Sequence, residues 1–138
     1  MQEIFDGLNV RYFGDQLERP LLTWSKVTAR RILGHHDHVH GTITLSRALD
    51  SARIPKFVVE YVLYHEMLHH HMGGIPDVAG RTVYHSRAFR AAEARYPWHR
   101  EALAWEKENL PQLLRASQEL DRQRRLGRQG RTGRRALG

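Results

Sequence analysis

The fold class predicted for this 138-residue chain is α+β, on three observations. An amphipathic helical segment opens the chain, short β-type runs follow Pro20, and from Pro55 onward the apolar pattern is helical again. There is no internal repeat and no sign of a second domain, so the order helix, sheet, helices describes one unit with an N-terminal helix over a small sheet.

Each element has a local reason. Ile4, Phe5, Leu8 and Tyr12 fall on one face at helical spacing, which predicts a helix over residues 2–13 that Gly14 ends. The runs Leu21–Val27, Ala29–Leu33 and Val39–Leu45 read as strands, the last two separated by Gly34-His35-His36-Asp37, and together they predict a three-stranded antiparallel sheet. Residues 55–72, PKFVVEYVLYHEMLHHHM, form a helix. Pro55 suits its first turn and Gly73-Gly74 its end. Its sequence is apolar on nearly every side from Phe57 to Leu68, the pattern of a helix in the interior of a domain. A 12-residue loop, 73–84, leads to a helix over Ser86–Tyr96 that Pro97 ends. A last helix runs from Trp98 to Leu120, where Leu103, Leu110, Leu113 and Leu114 cover the domain and Pro111 should kink or divide it.

Composition bounds the function. With 41% hydrophobic and 27% charged residues and a mean hydropathy of −0.61, the chain is expected to be soluble with a real core. No run approaches the roughly 18 apolar residues of a membrane span, and the start MQEIFDGLN is acidic where a signal peptide is basic and then apolar. The expected compartment is the cytoplasm, and the domain is expected to act as a monomer without membrane contact. The absence of cysteine excludes disulfides, cysteine-based zinc fingers, iron–sulfur clusters and thiol catalysis, so a metal would have to be held by His, Asp or Glu. Ten histidines make that a real option. The net charge of +7 is concentrated at the end: residues 1–120 carry 15 Lys and Arg against 14 Asp and Glu, whereas 121–138 carry seven Arg against Asp121. The domain is therefore set at 1–120, and 121–138 is expected to be a disordered basic Arg/Gly tail suited to polyanions such as DNA.

His65-Glu66-Met67-Leu68-His69 carries the chemistry. On a helix, positions i and i+4 lie one above the other about 6 Å apart, so both imidazoles reach one zinc ion at roughly 2.0–2.1 Å. Glu66 stands beside that face and can take a proton from a zinc-bound water attacking a carbonyl, then pass it to the leaving amine. Val58, Tyr61, Val62, His65, His69 and Met72 follow a single helical stripe, which puts both histidines on a buried or cleft-facing side. Unpaired imidazoles there would be unfavourable, and a metal relieves that. A catalytic zinc takes three protein ligands; the third must come from later in the chain, as His85 or as Glu93 on the same predicted helix.

The sequence resembles the SprT-like family of zinc metalloproteins, which includes the eukaryotic Spartan proteases. The resemblance covers about residues 3–100. It rests on Leu8-Asn9-x-x-Tyr12-Phe13-Gly14, Trp24-Ser25, Gly41-x-Ile43-x-Leu45-Ser46, His65-Glu66-Met67-Leu68-His69 and His85-Ser86-x-x-Phe89, in that order. It implies a minimal zincin-type α+β fold, one zinc held by His65, His69 and His85, and Glu66 as catalytic base. It also implies peptide-bond cleavage, with DNA-associated or DNA-crosslinked proteins as substrates. The chain lacks the cysteine-based zinc ribbon of many SprT proteins and the added DNA- and partner-binding segments of Spartan, which leaves the Arg-rich end as the available DNA contact.

Other residues have plainer readings. In His35-His36-Asp37-His38-Val39-His40, residues 36, 38 and 40 share a face if extended, enough for a second metal or a pH response, although histidines of a hairpin loop are commonly solvated. His70 and His71 point about 100° and 200° around the helix from His69 and are not expected to be ligands. Tyr64 and Tyr84 flank the proposed ligands and could donate to an oxyanion, packing being the commoner fate. Trp24 is expected in the core, Arg30 and Arg31 on a solvated edge, and Asp77 is a possible partner of a ligand histidine. The expected function is thus a zinc metallopeptidase. The alternatives are a nucleic-acid-binding protein with a structural or vestigial zinc site and a zinc hydrolase of a non-protein amide.

Overall fold

The computed structural model describes residues 1–26 and 33–137. It is an α+β fold of four helices, a mixed three-stranded sheet and a short two-stranded hairpin. Helix α1 (Gln2–Tyr12) buries Phe5, Leu8 and Asn9, and the chain turns through Gly14 as its sequence predicts. The Asn9 side chain secures that turn. Its Nδ2 donates to the Leu17 carbonyl at 2.9 Å, and its Oδ1 accepts from the Leu17 N–H at 3.1 Å.

The sheet departs from the predicted antiparallel one. Its strands are β1 (Leu21–Trp24), β2 (Gly34–Asp37) and β3 (Thr42–Leu45), in the order β1-β3-β2. β2 and β3 form an antiparallel hairpin, whereas β1 pairs parallel with β3, Leu21 opposite Thr42 and Trp24 opposite Leu45. The cause is strand order. The hairpin folds back so that its second strand, carrying the wholly buried Ile43 and Leu45, lies in the centre, and a strand two reversals after β1 must run parallel to it. The segment Gly34-His35-His36-Asp37, expected as a connection, is itself β2. Most of the predicted strand Ala29–Leu33, with Arg30 and Arg31, lies outside the described residues. Trp24 is only partly buried, packed against the core from its edge.

Helix α2 (Lys56–Met72) is the axis of the domain. Eleven of its 17 residues are buried, and it touches α1, the sheet and both later helices. Val58, Leu63 and Met67 are fully enclosed, in accord with a helix apolar on every side. Around its first half, Tyr12, Tyr61, Tyr64 and Tyr96 pack ring against ring at 5.1–6.2 Å. The Tyr96 hydroxyl donates to the buried Glu60 carboxylate at 2.8 Å.

Gly73, with φ 63°, ends α2 in the left-handed region that favours glycine. The segment expected as a 12-residue loop is a small hairpin, β4 (Ile75–Pro76) with β5 (Thr82–Val83). Helix α3 (Arg87–Glu93) follows, and then α4 (His99–Leu137), which passes through Pro111 without a break. The Arg-rich end is thus helical, where composition predicted disorder. Arg, Gln and Leu are good helix formers, and the segment extends a helix already nucleated upstream, so it avoids the unfavourable first turn that isolated helices face. Ala102 and Leu114 are the buried residues that tie α4 to the body, and Asp121 pairs with Arg47 at 3.2 Å. No helix of the described residues is long and apolar enough to cross a membrane.

Candidate metal centre

The histidines of α2 stack as their spacing requires, and His85 arrives from the residue before the cap of α3. His69 Nε2 lies 3.2 Å from His65 Nε2 and 3.1 Å from His85 Nε2. One ligand nitrogen from each of the three lies within 4.8 Å of the others. Two ligands of a tetrahedral zinc, each about 2.0–2.1 Å from it, are roughly 3.3 Å apart, so this spacing fits an ion of that size. Among the described residues, this is the one group of three or more potential ligands close enough to hold a metal.

Ser86 and Phe89 explain why the triad is assembled from this segment. The Ser86 hydroxyl caps α3 by accepting from the Phe89 N–H at 3.2 Å, which fixes the direction in which His85 leaves the helix. Phe89 is buried and lies against all three imidazoles, stacked on His69 at 4.5 Å and 5.1 Å from both His65 and His85. His69 Nδ1 is buried without a partner among the described residues. Packing, then, orients this ring.

A carboxylate orients the first histidine. His65 Nδ1 lies 2.9 Å from Glu93 Oε2, which holds the N–H on Nδ1 and leaves Nε2 with a lone pair facing the triad. Glu93 also accepts from the Tyr61 hydroxyl at 2.6 Å and faces His99 Nε2 at 3.3 Å. Burial alone would raise its pKa. The bonds from His65 and Tyr61, the charge of His65 and the bond from His99 outweigh that and hold it at about 2. Burial opposes charge on His65 too, but the bond to Glu93 and the negative charges nearby raise its pKa. Burial pushes His69 down to about 4, helped by the charges of His65 and His85, and lowers His85 in the same way. Nitrogen lone pairs that converge on one another are the donor set of a borderline cation such as zinc.

Glu66 is the opposite of Glu93. It is 5% exposed, accepts no hydrogen bond from a described residue, and burial pushes its pKa up to about 7, with His65 only partly offsetting. Gly34 of β2 lies directly against it: a Cβ there would come within 2.9 Å of Glu66 Cγ and Oε2 and 3.0 Å of Val62 Cγ1. His65, Glu66, His85 and Glu93 line a cleft of about 430 Å³, bounded by Leu33 and Gly34 on one side and by Leu103 and Leu110 of α4 on another. A larger cavity of about 790 Å³ lies between α1, β1 and the start of α2 and includes none of the histidines.

The remaining sequence candidates divide clearly. His36 and His38 come to the rim of the centre, His36 Nε2 facing His70 Nδ1 at 3.0 Å and the His38 ring lying between Tyr84 and His69. His40 instead pairs with Asp37 at 2.7 Å in solvent, and His71 packs on Phe13. Tyr64 is a packing residue whose hydroxyl donates to the Ala92 carbonyl, while Tyr84 stays at the rim. Asp77 does not orient a ligand; it accepts from the N–H groups of Ala79 and Arg81 in its own hairpin. Glu93, weighed as a ligand, is the residue that does the orienting. Only the seating of α3 on α2 brings it to Tyr61 and His65. Neither the models of known protein families nor any curated protein matches this chain.

Proposed function

We propose that this protein is a zinc-dependent peptidase of SprT-like, zincin-type architecture, with His65, His69 and His85 as ligands and Glu66 as catalytic base. The observation that carries the reading is the pairing of a converging histidine triad with a buried carboxylate that accepts no hydrogen bond from a described residue, with His65, His85 and Glu66 lining one cleft. Zinc, when bound, supplies a Lewis acid that polarises a carbonyl and makes water acidic enough to attack at neutral pH. Glu66 takes the proton of the attacking water and delivers it to the departing nitrogen, and a pKa of about 7 suits both halves of that task. Glu93 keeps His65 in the tautomer that presents Nε2. β2 is an edge strand of the sheet among the described residues, and Leu33 and Gly34 border the cleft, so main-chain groups are at hand for an extended peptide.

The substrates we assign are proteins held on nucleic acid, because Arg124 and Arg125 extend from α4 on exposed turns beside Arg122, which bonds Glu119. The test is cleavage of a DNA-binding protein by zinc-loaded wild type, with and without DNA, and with Glu66→Gln as the blank. One zinc per chain and cleavage lost in the variant support the peptidase. Equal cleavage by the variant would refute the role of Glu66. Removal of 121–138 should lower DNA affinity and flatten its salt dependence, and unchanged values would detach DNA from the proposal.

A further inference from the structure

Among the charged groups lining the cleft, Arg90 of α3 and Glu106 of α4 make no side-chain hydrogen bond or ion pair with a described residue. Glu93 is held by Tyr61, His65 and His99, the histidines face one another, and Glu66 is the base. Leu103, Glu106 and Leu110 follow at i, i+3 and i+7, one face of α4, and all three line the cleft. A carboxylate thus stands between two leucines on the α4 wall of the cleft. Glu106 makes no hydrogen bond or ion pair with a described residue, and Arg90, which lines the same cleft, does not pair with it. Burial, with the Glu93 charge, raises its pKa in spite of His65.

We propose that Glu106 is the receptor for a positively charged group of the substrate, so that the cleft selects peptides presenting an amine or guanidinium beside the metal centre. A partly desolvated carboxylate without a partner is unfavourable in the free protein and becomes favourable when a cation arrives. Leu103 and Leu110 suit the methylene stem of such a group, which keeps its charged tip at Glu106. The cation can be a lysine or arginine side chain or a free terminal amine. This inference rests on the peptidase reading of the same cleft and narrows its substrate class.

The test is binding, measured by fluorescence anisotropy with zinc-loaded, full-length Glu66→Gln protein. The probes are N-acetylated neutral peptides with lysine or norleucine placed at each position in turn, and a lysine-free peptide with a free α-amine. At its best position lysine should be favoured over norleucine about tenfold, the worth of one charge-assisted hydrogen bond. Adding Glu106→Gln should bring the ratio close to one, and Glu106→Lys should reverse it toward glutamate. Zinc content and an undiminished unfolding midpoint verify that the variants are folded. Preference for the free α-amine alone would assign Glu106 to the terminus. If the peptides bind but neither lysine nor the free α-amine is favoured, or Glu106→Gln leaves that preference unmoved, the inference is wrong and the peptidase reading stands. If no peptide binds and wild type cuts none, the peptidase reading itself falls.

Discussion

Replacing Glu66 with Gln should make the metal-free protein more stable at neutral pH while removing activity. In the folded protein the Glu66 pKa is about 7, against 4.5 for an unperturbed glutamate. Between those values the folded state holds a proton that the unfolded chain has released, so stability falls as pH rises from 4.5 to 7 and stays lowered above it. At about 1.4 kcal/mol for each pH unit, the penalty at pH 8 is about 3 kcal/mol. Glutamine has the same shape and no charge to desolvate, so it removes that penalty. Urea unfolding in the presence of a chelator at pH 4.5 and pH 8 measures this directly. The variant should match wild type at pH 4.5 and exceed it by about 2–3 kcal/mol at pH 8. A variant less stable than wild type at pH 8, or a difference independent of pH, would refute the claim that Glu66 is buried at the expense of stability.

Three further outcomes follow from the same contacts. Glu93→Gln leaves one of the donors from Tyr61 and His65 facing an amide N–H, and should weaken zinc binding about 10- to 100-fold in a competition titration with a chromogenic chelator. Gly34→Ala places a methyl against Glu66 and Val62 and should retain zinc, cost about 1–3 kcal/mol of stability, and slow cleavage about 100-fold by displacing the proposed base. Tyr96→Phe removes the hydroxyl that bonds Glu60 and should cost about 1–3 kcal/mol in urea unfolding without changing zinc content, since that pair lies apart from the triad.

The parts of this protein legible in its sequence are those fixed by local periodicity. The reach of α1 and α2, the burial of α2 all round and the stacking of His65 on His69 follow from spacing along a single helix. The convergence of His85 is a tertiary fact, anticipated by the resemblance alone. What was not legible depends on how elements meet. Parallel pairing of β1 with β3 needs the strand order, and strand character in Gly34-His35-His36-Asp37 comes from pairing with β3 against poor propensity. The helical course of 121–137 depends on the helix before it. Gly34 looked like a turn glycine, whereas its missing side chain is what lets β2 approach Glu66.

Glu66 and Glu93 show why residue type alone did not assign the roles in this site. Both are glutamates from helices that line one cleft, and both are largely withdrawn from water, yet one is pushed up to about 7 and the other held at about 2. The difference lies in their neighbours. Three side chains converge on Glu93 with hydrogens to give, so it stays ionised and is committed to holding His65. Glu66 faces Gly34 and Val62, which have no hydrogen to offer from their side chains, so its proton is free to come and go near neutral pH. A site that needs one fixed anion and one proton carrier can build both from the same side chain by choosing what packs against each. The uncommitted carboxylate is the destabilising one, and a fold keeps such a group where chemistry requires it.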